Sequence, residues 1–129
     1  MTVSRTTGVF IGTDETTGVT IANNATTTSS EIDILGNNTS EGWFMLYLKF
    51  TSTVTAGTLD VTLYSGRVTG QDYADQAPLV ASWAPINGTQ KIQIGIFKAT
   101  RFMVGAVKNN ATGASATNVL LGYELFQES

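Results

Sequence analysis

Apolar and polar residues alternate with a period of two along most of this chain, the spacing of strands buried on one face. Leu59, Val61 and Leu63 fall on one side of such a segment, with Thr58, Asp60, Thr62 and Tyr64 on the other. Ile92, Ile94 and Ile96 alternate in the same way with Lys91, Gln93 and Gly95, as do Ile32 and Ile34 with Glu31 and Asp33. Trp43 to Thr51 differs. Phe44, Leu46, Leu48 and Phe50 form one face and Trp43, Met45, Tyr47 and Lys49 the other, so both faces are bulky and the strand is expected in the middle of a sheet, with its second face available to a partner.

Further strands are expected at Val9 to Gly12, Val19 to Ala22, Leu79 to Trp83, Arg101 to Val107 and Val119 to Phe126, about eight or nine in all. Turn chemistry separates them at Asn37 to Ser40, Ala56-Gly57, Ser65-Gly66, Asn87-Gly88 and Asn109 to Gly113. No segment carries a capped helical stripe. Strands joined by turns without helices favour an all-β fold, an antiparallel β-sandwich or jelly roll, with a closed barrel as the alternative. Residues 1–28 are dense in Thr and poor in large apolar side chains, which suggests an extended arm or an edge strand ahead of a sandwich at 29–129. Arg67 to Pro78 reads as a loop of about a dozen residues, a length that is often functional.

Composition narrows the function more than the fold. Only 13% of residues are charged and the net charge is −3, while hydrophobic residues reach 42%, so the chain should fold rather than remain disordered. The seven Lys and Arg are scattered singly and form no basic stripe, which argues against nucleic acid. No apolar run is long enough for a membrane helix, and the start lacks a secretory h-region, so the expectation is a chain made in the cytoplasm without a signal peptide. With no Cys there are no disulfides or thiolate chemistry, and with no His the Ser-His-Asp arrangement is excluded.

Carboxylate chemistry survives that filter, and Asp72 and Asp75 are the close acidic pair of the long loop. Solvated turn carboxylates are the better reading of them, so no catalytic residue is assigned. No cofactor or metal is expected either, because neither Asp14-Glu15 nor Asp72 to Asp75 has the ligand spacing of an EF-hand loop. The Asn-x-Ser/Thr sequons at Asn24, Asn37, Asn38, Asn87 and Asn110 read as turns. Exposed aromatics remain as candidates. Trp43, Tyr47, Tyr64 and Trp83 could stack on sugars or anchor a protein contact, and Trp43 and Tyr47 are about 13 Å apart along one strand face. Val9 and Phe10 near the start and Tyr73 in the long loop complete the partner-binding set with Trp43, Tyr47 and Trp83.

The Thr-rich start, the stretch Gly57-Thr58-Leu59-Asp60-Val61-Thr62-Leu63-Tyr64-Ser65-Gly66 and the closing Val119-Leu120-Leu121-Gly122-Tyr123-Glu124-Leu125 resemble small virion structural proteins of tailed bacteriophages, of the head decoration or cement type. The resemblance implies a non-enzymatic homotrimer on the capsid surface that clamps neighbouring subunits of the major capsid protein. A low-charge surface rich in Thr and Asn suits this, because few ions lose their hydration on docking and repeated copies add avidity. The alternative is a carbohydrate-binding module or the receptor-binding part of a phage tail fibre, with a glycan as partner.

Overall fold

The computed structural model describes residues 3–35, 42–53, 56–66, 79–99, 101–110 and 113–128. Asn37 to Ser40 and the expected loop with Asp72, Tyr73 and Asp75 lie outside the described residues. Among the described residues ten strands follow one another: β1 (Val3–Ile11), β2 (Val19–Ile21), β3 (Thr26–Thr28), β4 (Ile32–Asp33), β5 (Gly42–Ser52), β6 (Leu59–Gly66), β7 (Leu79–Trp83), β8 (Gly88–Lys98), β9 (Phe102–Asn109) and β10 (Ala116–Glu128). They form two antiparallel five-stranded sheets. Sheet I runs β1-β10-β5-β8 with β2 on β10, and sheet II runs β3-β9-β6-β7 with β4 on β9.

The chain crosses repeatedly between the sheets, and β3 and β4 share one position beside β9. That leaves four positions in each main row, the arrangement of a jelly roll within the sandwich class. β3 is the strand that was not expected, because a short segment without an apolar pattern also pairs. Thr26 to Thr28 pairs with Lys108, Val107 and Ala106 of β9. Ser65-Gly66, expected as a turn, continues β6 opposite Met103 and Phe102. Where turns were expected at Gly57, Gly88 and Gly113, the backbone has positive φ, which favours glycine.

The core lies between the sheets. Phe44, Leu46, Leu48 and Phe50 of β5 are fully buried and face Leu59, Val61 and Leu63 of β6 and Met103 and Val107 of β9. Burying each such side chain contributes about 1.5–3 kcal/mol, an upper bound because the unfolded chain is itself partly compact. β1 forms an edge of sheet I, bonded to β10, and a bulge at Phe10 sends both Phe10 and Ile11 into the core. Gly105 makes room for them: a Cβ there would stand 2.9 Å from Phe10 and from Leu121.

At one end of sheet II, Asp60 accepts hydrogen bonds from Thr58 (2.8 Å) and Ser82 (2.7 Å) and from Asn110, tying β6 to β7 and to the chain leaving β9. Burial pushes its carboxyl upward, but these bonds and the Lys108 charge outweigh that, and the pKa falls below the ordinary 3.8. A carboxyl lowered on folding stabilises the fold above its unfolded value and loses that contribution as pH falls through the folded one. The urea midpoint of the wild type should therefore drop below about pH 4 more steeply than that of Asp60→Asn, and parallel curves would show that these bonds contribute nothing.

Candidate functional site

Among the described residues, four of the six exposed large apolar side chains, Val3, Trp43, Ile96 and Phe126, belong to the strands of sheet I. β5 sets Trp43, Met45, Tyr47 and Lys49 outward because its alternation is strict and the opposite set fills the core. On β10, Tyr123 and Leu125 point inward, so Glu124 and Phe126 point outward. β8 departs from the expected pattern. Leu46 pairs with Gly95 and Tyr47 with Gln93, so Ile94 is an extra residue and the strand bulges there. The bulge resets the alternation: Ile92 and Ile94 pack on the core, then Phe97 turns inward onto Phe44 at 5.7 Å, and Ile96 turns out. The three isoleucines therefore do not share a face.

Strand register assembles these residues into rows. Arg5, Phe126, Trp43 and Lys98 lie side by side across β1, β10, β5 and β8, and the next row reads Thr7, Glu124, Met45, Ile96. Val3 is diagonal to Phe126, and Ile96 to Trp43, within about 7–8 Å by sheet geometry. Val3, Trp43, Ile96 and Phe126 are respectively 60%, 55%, 64% and 38% exposed. A contiguous apolar patch with a charged rim marks a surface that meets something else.

Among the described residues, the charges of this face are sorted by strand. Arg5 and Glu124 form a 3.2 Å ion pair on the β1–β10 half. Beside them the loop after β1 is held over the sheet. Asp14 accepts hydrogen bonds from the Thr16 N–H and hydroxyl and from the Thr17 N–H, at 2.7, 2.7 and 2.8 Å, which keeps its carboxyl below the ordinary range. The Thr7 hydroxyl donates to Glu15, and Gly8, Val9, Asp14, Glu15 and Thr16 line an open depression of roughly 460 Å³. Across the face, Lys49 of β5 stands directly opposite Lys91 of β8, and Lys98 lies beside Trp43.

Tyr47 lies between the two halves. Its ring occupies the space above Gly122, where a Cβ would come within 2.3 Å of it, and the Lys91 ammonium sits 5.0 Å from the ring centre. Burial, and then the charges of Glu15 and Glu124, push the Tyr47 hydroxyl above its ordinary value, so it stays a neutral donor.

The outer face of sheet II is different in kind. Two of its rows read Thr26, Lys108, Asp60, Ser82 and then Thr28, Ala106, Thr62, Val80, and it continues with Val104 opposite Tyr64 and with Phe102 opposite Gly66; of these apolar residues Val80 is the strongly exposed one. No group of three or more His, Cys, Asp or Glu among the described residues is placed to hold a metal ion.

The structure divides the candidate residues. Trp43 and Tyr47 share the outer face of sheet I, and Val9 lies beside them, half-buried at the depression. Phe10 is a core residue, tilted against Tyr123 at 5.2 Å. Trp83 pairs with the inward-pointing Leu59 at the edge of sheet II, and Tyr64 belongs to the opposite sheet from Trp43. The aromatic set is therefore split between sheets and does not form one stacking platform. Val3, Met45, Ile96 and Phe126 complete the patch. The signal for Ile96 was Gly95, because a glycine inside a strand often marks a bulge.

No protein-family model matches the chain, and no curated protein sequence does. Among solved structures it is similar to the PRD1 vertex protein P5, with a TM-score of 0.55 at 13% identity over 97% of this chain and 96% of that one. Bacillus endospore appendage pili align less well, with a TM-score of 0.48 at 14% identity over 99% of this chain and 90% of the other. The VP2 protein of infectious bursal disease virus reaches a TM-score of 0.35 at 10% identity, over 97% of this chain and 40% of VP2. At these identities the likeness to P5 is one of fold.

Proposed function

We propose that the chain is a non-enzymatic structural component of a virion, working as a homotrimer at the capsid surface and holding neighbouring shell proteins, the major capsid protein among them. The observation that carries this reading is the exposed apolar face of sheet I, on a jelly roll that aligns almost end to end with a viral vertex protein. A catalytic domain of this size concentrates perturbed titratable groups in a concave site. Among the described residues the perturbed carboxylates, Asp14 and Asp60, are occupied in fastening a turn and a sheet edge. Fold alone does not fix function, so the surface has to supply the argument. A broad, sparsely charged surface suits a protein held in many symmetric copies, since modest contacts repeated around a shell add up through avidity.

Antibody raised against the purified chain should decorate the outside of intact particles in immunogold microscopy, and the chain should be recovered from purified virions by mass spectrometry. Particles that lack it in both measurements overturn the proposal. Truncating the start is a poor probe of docking, because β1 carries Phe10 and Ile11 into the core. Exposed positions such as Trp43 are the ones to change.

A further inference from the structure

We infer that copies of this chain meet through the outer face of sheet I, each setting its β5–β8 half against the β1–β10 half of another. The inference deepens the proposed function, on which it rests only for the expectation of a homo-oligomer. Three features of the face carry it.

The apolar patch is built rather than incidental. The bulge at Ile94 turns Ile96 outward next to Met45 and Trp43, and the register brings Phe126 and Val3 alongside. Leaving such side chains in water is unfavourable, and aromatic residues at the centre of a patch are typical anchors of protein contacts.

The charges make the patch complementary to itself. Asp14, Glu15 and Glu124 outnumber Arg5 on the β1–β10 half, whereas Lys49, Lys91 and Lys98 occupy the β5–β8 half. A second copy brought half against opposite half sets carboxylates on ammoniums around a shared apolar centre. A foreign partner would have to carry the same sorted pattern in reverse.

Lys49 opposite Lys91 is the third feature. Like charges directly across a strand pair weaken it. Carboxylates from a neighbouring copy, arriving over these two lysines, reverse that repulsion. The Lys91 ammonium is already held above the Tyr47 ring, at the middle of the face.

The test is the mass of the purified chain in solution, by light scattering and sedimentation, against 13.7 kDa for one copy. The wild type should give a multiple of that mass. Ile96→Glu should weaken association by about 30-fold or more, the effect of losing an interface anchor, with unchanged circular dichroism and melting. Reversing one margin, Lys91→Glu with Lys98→Glu, should also dissociate the oligomer, and adding Glu15→Lys with Glu124→Lys should restore it. That restoration separates charge complementarity from simple loss of fold. A wild-type chain that stays monomeric at its highest soluble concentration overturns the inference, as does an oligomer that neither Ile96→Glu nor the margin reversal disturbs. A monomer found on virions would leave the virion reading standing while removing this one, and an oligomer through this face that is absent from virions would do the reverse.

Discussion

Replacing Phe44 with alanine is expected to destabilise the fold by about 3–5 kcal/mol, whereas replacing its neighbour Trp43 should change stability by less than about 1 kcal/mol. Phe44 is fully buried, with Phe97 tilted against it, and loss of its ring leaves a cavity between the sheets. A domain of this size is stable by about 5–15 kcal/mol, so the Phe44 variant should be partly unfolded near body temperature or recovered as aggregate. Trp43 occupies the next position on the same strand, but its ring is more than half exposed. Trp43→Ala should therefore fold normally and fail in assembly. Urea melts of the two variants, with solution mass measured alongside, check both halves. A Trp43 variant as unstable as the Phe44 variant would mean that the outer face is structural rather than a docking surface.

The contrast between these neighbours was legible before the fold was known, because a strand that is bulky on both faces has one face too many for a two-layer sandwich. The pairing partners were not. Residues separated by more than a hundred positions, Arg5 and Glu124, form an ion pair on the face, and nothing local announces it. Period-two patterning assigns faces only while the alternation holds, and one extra residue inverts everything beyond it. At β8 that inversion moves Ile96 from the core to the centre of the candidate site and puts Phe97 in its place. That Trp83 is separated from Trp43 was hidden for a related reason. Aromatic content says that a residue can anchor a contact, but strand order decides which sheet it joins, and Trp83 joins the one that Trp43 does not. The Thr-only strand β3 was invisible because its pairing comes from backbone groups, which every residue carries.

Asn109→Leu is expected to cost about 2–4 kcal/mol although it makes the interior more apolar, since each buried polar group left unpaired costs about 1–3 kcal/mol. Asn109 ends β9 with no exposed surface, and its amide nitrogen donates to the carbonyls of Ile21 and Ala114, each at 3.0 Å. Its backbone N–H donates to the Ala25 carbonyl at 2.9 Å, and its own carbonyl accepts from the Asn24 N–H at 2.8 Å. One residue thus ties β2, which belongs to sheet I, to β9 of sheet II and to the turn that leads into β10. Leucine fills a similar volume but offers no donor, so the two carbonyls lose a partner without gaining water. Asn109→Asp removes the same donors and adds a buried negative charge facing two carbonyl oxygens, so it should be the less stable of the two variants at neutral pH. Its deficit should shrink as the solution is acidified, because a carboxyl whose pKa is raised by burial favours the fold only once protonated. Denaturant titrations of both variants across the acid range would read that crossing directly. An Asn109→Leu protein within about 0.5 kcal/mol of the wild type would show that the two sheets are held together at this end by packing alone.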